Sequence, residues 1–327
     1  MELKFSNDKN EWNSFLIENS GSFLQSFEWG ELQEKSSKKV FRLKVYEGSD
    51  ILVQAQVIKE GLLFKNYLYI PYGPIFKNNL DLSRQKACLK ILIDGIQELA
   101  SEENSVFLRI EPLVPLDKMI EARICRPFRR IQPQKTLILD LTKTEEELFK
   151  NLSSGSRRNI SIARRDGVVI EKQKDYSPDF YRLLKGTKER QEFSGHAEEY
   201  YKNILKIDGE FVKTELFLAR YKDRIINATI VVFFNKKAFT LHSGSDYEYR
   251  HVKGSNLLRW NIISEAKKMG MQECDFWGID EKKWPDLTSF KKGFGGREVE
   301  YPAGLDMVFQ GFWYNAYRII KFIRRII

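Results

Sequence analysis

The stretch LFLARY (Leu216–Tyr221), Lys222-Asp223, RIINATIVVF (Arg224–Phe233) consists of two apolar, strand-favouring runs joined by two polar residues. A connection that short predicts an antiparallel β-hairpin. KAFTLHSGS (Lys237–Ser245) reads as a third strand. A helix is expected over Ser255–Lys268, where Leu257, Leu258, Asn261, Ile262 and Glu265 follow helical spacing and Gly270 supplies the stop. QECDFWGI (Gln272–Ile279) closes the unit as a fourth strand. About 175 residues upstream the same order occurs: FRLKVY, the turn EGSD and ILVQAQVI from Phe41 to Ile58, then NYLYIPYGP, a helix over Leu80–Ser101, and SVFLRIEP. The chain therefore holds two copies of one β-β-β-α-β unit, an α/β (α+β) organisation. TLILDL (Thr136–Leu141) and an acidic helix start at Thr144-Glu145-Glu146-Glu147 connect them. Carboxylates suit the positive end of a helix dipole, and the boundary is placed near Leu141.

The length of 327 residues fits about two domains, and 42% hydrophobic with 13% aromatic residues is enough for packed cores. Cys88, Cys125 and Cys274 are too few and too scattered for a disulfide framework, which fits a reducing cytoplasm. Met1–Ser20 lacks the apolar centre of a signal peptide, and no apolar run nears the roughly 20 residues that span a bilayer. A soluble or peripheral protein is expected. The net charge of +9 is concentrated: Lys150–Lys174 carries seven basic against two acidic residues, and Val308–Ile327 carries four basic and none acidic. Two local patches imply two anionic partners or surfaces, unless both are ordinary solvated helix faces.

Several common sites are missing from the sequence. It has no GxSxG elbow, no GxxxxGK[ST] loop and no GxGxxG after a strand, and its three histidines and three cysteines lack metal-ligand spacing. The repeated order resembles the acetyltransferase (GNAT) superfamily. That family's coenzyme A turn is not satisfied, because its first position falls on His251 and its last on Asn256. Local motifs then narrow the field. Phe23-Leu24-Gln25-Ser26 with Trp29-Gly30, Tyr69-Ile70-Pro71-Tyr72-Gly73-Pro74, the run from Leu152-Ser153-Ser154 to Val168, Asp275-Phe276-Trp277-Gly278-Ile279 and Phe290-Lys291-Lys292-Gly293-Phe294-Gly295-Gly296 together resemble the FemABX peptidoglycan bridge-forming aminoacyltransferases.

That resemblance implies two tandem GNAT-like domains: residues 1–141 for precursor binding, completed by a C-terminal amphipathic helix within 305–327, and residues 142–304 on the aminoacyl-tRNA side. It implies transfer of an amino acid from aminoacyl-tRNA to the stem-peptide amine of a lipid-linked (lipid II-like) or UDP-linked muropeptide, without metal or organic cofactor. The enzyme must then orient an activated ester and an amine, assist deprotonation and stabilise an oxyanion. Lys291, after Phe290, corresponds to a lysine beside the reacting centre, serving the oxyanion or the leaving ribose hydroxyl; a phosphate-binding or merely exposed lysine is the alternative. Glu111 could accept a proton or hold the stem-peptide amine, or be structural with Arg109. Tyr72, Tyr200 and His242 match polar aromatics of the substrate groove, with packing as the alternative for each, and Arg109, Phe290 and Lys35 are counted with them as substrate-binding candidates. Where some relatives carry a phosphate-binding lysine after Trp29 this chain has Gln33, with Lys35 displaced nearby.

On a helix, Arg157, Arg158, Arg164 and Arg165 would form one broad basic stripe suited to tRNA phosphates. The segment from Phe312 to Ile327 is basic and amphipathic, suited either to an anionic membrane surface or to packing on the first domain with its basic face outward. Two other functions fit the same fold: an N-acyltransferase using acyl-CoA, and a non-catalytic tRNA- or membrane-binding module.

Overall fold

In a computed structural model, which describes residues 1–120, 124–191 and 195–326, the chain begins with β1 (Glu2–Phe5), α1 (Lys9–Glu18) and α2 (Phe27–Lys35). Both helices start on a side chain that accepts an otherwise unpaired backbone N–H, Asp8 from Glu11 and Ser26 from Trp29. β2 (Val40–Glu47) and β3 (Asp50–Gly61) form the expected hairpin, turning at Gly48, whose φ of 61° favours a residue without Cβ. β4 (Asn66–Pro71) and the short β5 (Ile75–Phe76) both pair with β3. α3 (Leu82–Glu102) then carries the chain across to β6 (Ser105–Glu111), which lies parallel to β4. A parallel neighbour needs such a crossover, because a tight turn can only reverse the chain. β7 (Ile124–Cys125) follows.

The second unit runs β8 (Lys135–Asp140), α4 (Glu145–Lys150), α5 (Ser154–Arg165), β9 (Val169–Gln173), α6 (Pro178–Gln191), α7 (Glu198–Ile204), β10 (Val212–Tyr221), β11 (Arg224–Phe234), β12 (Lys237–Ser245), α8 (Gly254–Lys268), β13 (Glu273–Gly278), α9 (Pro285–Lys292) and β14 (Arg297–Glu300). The acidic start predicted at Thr144 is a capping box with Glu147. β15 (Leu305–Val308) and α10 (Gly311–Ile326) end the chain.

Strand pairing divides these elements into two units, residues 1–134 with 301–327 and residues 135–300. The first sheet has the order β1-β2-β3-β4-β6-β15-β7 with β5 on β3, and the second β14-β8-β13-β12-β11-β10-β9. This corrects the boundary placed at Leu141. The strand at Thr136–Leu141 does not finish the first unit; as β8 it pairs with β13 and β14 inside the second sheet. Its apolar pattern announces a strand but not which sheet accepts it. The return to the first unit likewise starts at Tyr301, since β15 pairs with β6 and β7.

Each unit packs the helix of its β-β-β-α-β order against its sheet. Leu89, Leu92, Ile96 and Leu99 of α3 meet Leu43, Val45, Val53 and Val57. Leu258, Ile262, Ile263 and Ala266 of α8 meet Phe217, Val231, Cys274 and Phe276. α10 packs on the first sheet with Arg318 and Lys321 exposed, in keeping with an outward basic face. It meets the first sheet through tyrosines, with the Tyr314 and Tyr317 rings each 5.2 Å from Phe107, while its isoleucines stay exposed. Ile327 and the side chains of Arg324 and Arg325, counted in the basic C-terminal segment, lie outside the described residues.

Candidate active site

In the second unit, β12 and β13 pair only from Lys237–Phe239 to Glu273–Asp275, and the ladder ends there. Beyond it β13 kinks. Trp277 takes a left-handed φ of 60°, and its N–H donates to Asp275 Oδ1 at 2.7 Å rather than continuing the sheet. Backbone held in that region by a non-glycine residue costs of order 1–3 kcal/mol and persists where surrounding contacts enforce it. Here the kink aims two carbonyls at one side chain: Lys291 Nζ donates to the oxygens of Gly278 at 2.6 Å and Trp277 at 3.3 Å. Lys291 reaches them from the last turn of α9, whose Pro285 occupies the helix start. Phe290, its neighbour, is half-buried with its ring 5.3 Å from Phe294, so it packs at the edge of the core. After α9 the chain passes Gly296 at φ 106°, where a Cβ would sit 2.8 Å from the Ile138 carbonyl oxygen; only glycine fits that approach.

Lys291 is 7% exposed. Burial, with the nearby Arg259 cation, pulls its ammonium down to about 7, against an opposing pull from Asp275. Burial also pushes Asp275 up to about 6, although Thr136 Oγ1 and the Trp277 N–H both hydrogen-bond to it. Arg259, on α8, is lowered to about 10 by burial; its guanidinium lies 5.2 Å over Phe276, and its Nη1 lacks a hydrogen-bond partner among the described residues. The site is thus a buried amine poised near neutral pH, fixed by two carbonyls at the mouth of an opened ladder. Such a group can exchange protons, which a permanently charged lysine cannot. The sequence reading placed Lys291 beside the reacting centre and missed its partners. Asp275 stood inside a quoted motif, and Arg259 interrupts an otherwise apolar helical stripe; a lone charge there was the available signal.

Tyr200 and His242 come together in the same unit. The Tyr200 ring stacks on His196 at 3.8 Å and stands edge-on to His242 at 5.9 Å, with Tyr201 5.1 Å from His242. Burial, then His196 and Lys188, drive His242 down to about 3, so its imidazole is neutral at physiological pH. Its Nε2 has no hydrogen-bond partner among the described residues, which leaves it a neutral polar contact and not an acid.

The first-unit candidates are occupied by structure. Glu111 is fully buried, accepting from Tyr69 Oη at 2.7 Å and from the N–H groups of Ile131 at 2.7 Å and Gln132 at 2.9 Å. A carboxylate so saturated anchors a loop, which is the structural alternative for Glu111, made through Tyr69, Ile131 and Gln132 and not through Arg109. Arg109 pairs not with Glu111 but with Asp306, Nε and Nη2 reaching its two oxygens at 2.8 and 2.7 Å; this corrects its substrate-binding reading. Tyr72 is 3% exposed and donates to the Pro133 carbonyl at 2.7 Å, with its ring 4.8 Å from Tyr301. Lys35 is exposed at the end of α2. Beside it the sequence reading overlooked Lys38, which donates to Gln33 Oε1 at 3.0 Å and Glu60 at 2.7 Å.

The predicted basic stripe lies on α5 but is uneven. Arg157 Nη1 turns back to the carbonyls of Lys150 and Leu152, and Arg165 pairs with Asp166 at 3.0 Å. Arg158 and Arg164 are exposed. Reversing just those two to glutamate is expected to raise the KM for charged tRNA and flatten its salt dependence, since each released phosphate contact removes about one unit of salt slope. An unchanged slope in steady-state kinetics across a salt series would leave α5 an ordinary solvated face.

Two β-β-β-α-β units, the second opening its parallel pair beside a buried amine, define a tandem GNAT-like fold. A tandem GNAT protein from the clavulanic acid pathway superposes with a TM-score of 0.58 at 12% identity, covering 93% of this chain and 98% of that one. A crystal structure of FemX superposes with a TM-score of 0.79 at 19% identity over 97% of this chain and all of that one. The FemAB family pattern matches residues 8–125, 126–220 and 206–322, and the chain belongs to the FemAB family. Among its relatives is a lipid II:glycine glycyltransferase of Staphylococcus saprophyticus, 22% identical over 92% of this chain and 91% of that protein. No helix among the described residues is long and apolar enough to cross a membrane.

Proposed function

We propose that this protein is an aminoacyltransferase that moves an amino acid from aminoacyl-tRNA to the stem-peptide amine of a lipid-linked muropeptide, at the cytoplasmic face of the membrane. The observation that carries this reading is Lys291. An acceptor amine is an ammonium of pKa about 10 until deprotonated, so the reaction needs a group that takes up a proton near neutral pH. Lys291, at about 7 with two carbonyls receiving its N–H bonds, has that property. As we read the step, neutral Lys291 takes a proton from the acceptor ammonium. The freed amine attacks the ester carbonyl carbon, the new C–N bond forms, the nitrogen gives up its second proton to solvent, and the bond to the ribose oxygen breaks. Lys291 then returns the proton to that leaving oxygen. Tyr200, His242 and Phe290 contribute polar and apolar walls, and Arg158 and Arg164 contribute phosphate contacts on the tRNA side. The names of relatives support a lipid-linked acceptor, and glycine is the first donor to try.

The test is incubation of the purified protein with mixed charged tRNAs and with lipid-linked and UDP-linked muropeptides, followed by mass spectrometry. The expected product is a muropeptide heavier by one aminoacyl residue and lost on RNase treatment of the tRNA. Product formation from acyl-CoA instead, with none from charged tRNA, would overturn the reading.

A further inference from the structure

Among the described residues, most of the apolar side of α10 has no partner. Tyr314 is buried and Tyr317 half-buried against Phe107, whereas Phe312 is 78%, Ile319 59% and Ile323 47% exposed. At 100° per residue, Phe312, Ile319 and Ile323 share one face, directed away from the tyrosines that hold the helix down. The β3–β4 turn extends this surface with Leu63 and Phe64, 71% and 81% exposed. Lys65, next in that turn, holds its ammonium 5.4 Å over the Trp313 ring, which sets the tip beside the first turn of α10. Single exposed apolar side chains are common on any protein, but several large ones on two adjoining segments mark a contact surface.

Charge selects the occupant. No acidic residue occurs from Gly61 to Leu80 or from Val308 to Ile327; Lys65 lies over Trp313 at the edge of the apolar side chains, and Arg318 and Lys321 lie 6.0 and 5.9 Å over the Tyr314 and Tyr317 rings on the other side of α10. We propose that this patch docks on an anionic lipid bilayer, with α10 lying in the interface and the Leu63-Phe64 tip inserted among the acyl chains. Aromatic and isoleucine side chains enter the headgroup boundary while each nearby cation gains from the negative surface. The inference rests on the proposed reading and deepens it by naming the surface on which a lipid-linked acceptor is met.

The experiment is co-sedimentation of the full chain with vesicles free of peptidoglycan precursor, either phosphatidylglycerol mixed with phosphatidylcholine or phosphatidylcholine alone. Binding is expected to the anionic vesicles at low salt and to fall about tenfold or more on neutral vesicles or at high salt. The combined substitution Phe64→Ser, Phe312→Ser, Ile319→Ser and Ile323→Ser is expected to lose binding by at least about tenfold. These side chains are exposed, so its thermal midpoint should match that of the unsubstituted chain. Absence of binding by the unsubstituted chain, or undiminished binding by the folded variant, overturns the proposal. So does a dimer in analytical ultracentrifugation that the four serines dissociate, because a second copy would then cover the face. Transfer to the lipid-linked acceptor in neutral detergent, without vesicles, is scored separately, so failure of docking and failure of the transferase reading are distinguishable.

Discussion

Lys291→Met is expected to lower single-turnover transfer by about 100-fold or more, the usual loss when a proton-transferring group is removed. The unsubstituted enzyme should gain rate with pH through about 7, where neutral Lys291 becomes the major form, and then level off. Stability supplies an independent readout. The folded pKa lies below the ordinary lysine value of 10.5, so between about 7 and 10.5 the unfolded chain binds the extra proton. Stability of the unsubstituted protein must therefore rise with pH across that window and fall on acidification. The methionine variant has no such group and loses that slope. The two carbonyls left without a donor lower its stability by about 1–3 kcal/mol at every pH, which shifts the curve without tilting it. Thermal midpoints recorded from pH 7 to 10 check the tilt. Parallel curves would show that Lys291 is not held near neutrality, and an unchanged single-turnover rate would remove it from the chemistry.

The second large effect belongs to the first unit. Asp306→Ala should cost about 3–5 kcal/mol, because it leaves the Arg109 guanidinium buried without its counter-ion. Asp306 is fully buried, accepts both arms of Arg109, and also accepts from Tyr314 Oη at 2.9 Å. It thereby ties β6 to β15 and to the first turns of α10. Burial works against the Arg109 charge, and Asp306 more than restores it, holding the guanidinium above its usual range. Exchanging both partners for apolar residues, Arg109→Met with Asp306→Leu, should recover part of the loss, since no charge is then stranded. Denaturant midpoints measure both variants. A loss under about 1 kcal/mol for Asp306→Ala would mean the pair is solvated and the clamp is not what holds the C-terminal segment.

Much of the architecture was legible from local pattern alone. The hairpin at Leu216–Phe233 could be read because two apolar runs separated by Lys222-Asp223 have one economical solution, and the register Tyr221 opposite Arg224 realises it. The repeat at Phe41–Ile58 followed from the same alternation. Thr144 with Glu147 announced a helix start because a capping box uses only residues three apart. Lys291 was found through a motif, and the motif carried no information about its protonation.

What the chain alone left open were relations between residues distant in sequence. Arg109 and Asp306 are 197 positions apart, and Thr136 lies 139 positions from Asp275. No local pattern joins them, so Arg109 was read as a substrate contact, and Glu111 as either a substrate contact or a partner of Arg109, when their partners lay in segments folded back from elsewhere. β8 was assigned to the first unit because a strand's own residues specify its faces but not the edge that accepts it. The amphipathic pattern of α10 was plain in the sequence; that tyrosines hold it down while isoleucines face outward was decided by Phe107 on β6. The depressed pKa of Lys291 is likewise a property of its enclosure, because desolvation depends on everything packed around the amine, which only the tertiary structure brings together.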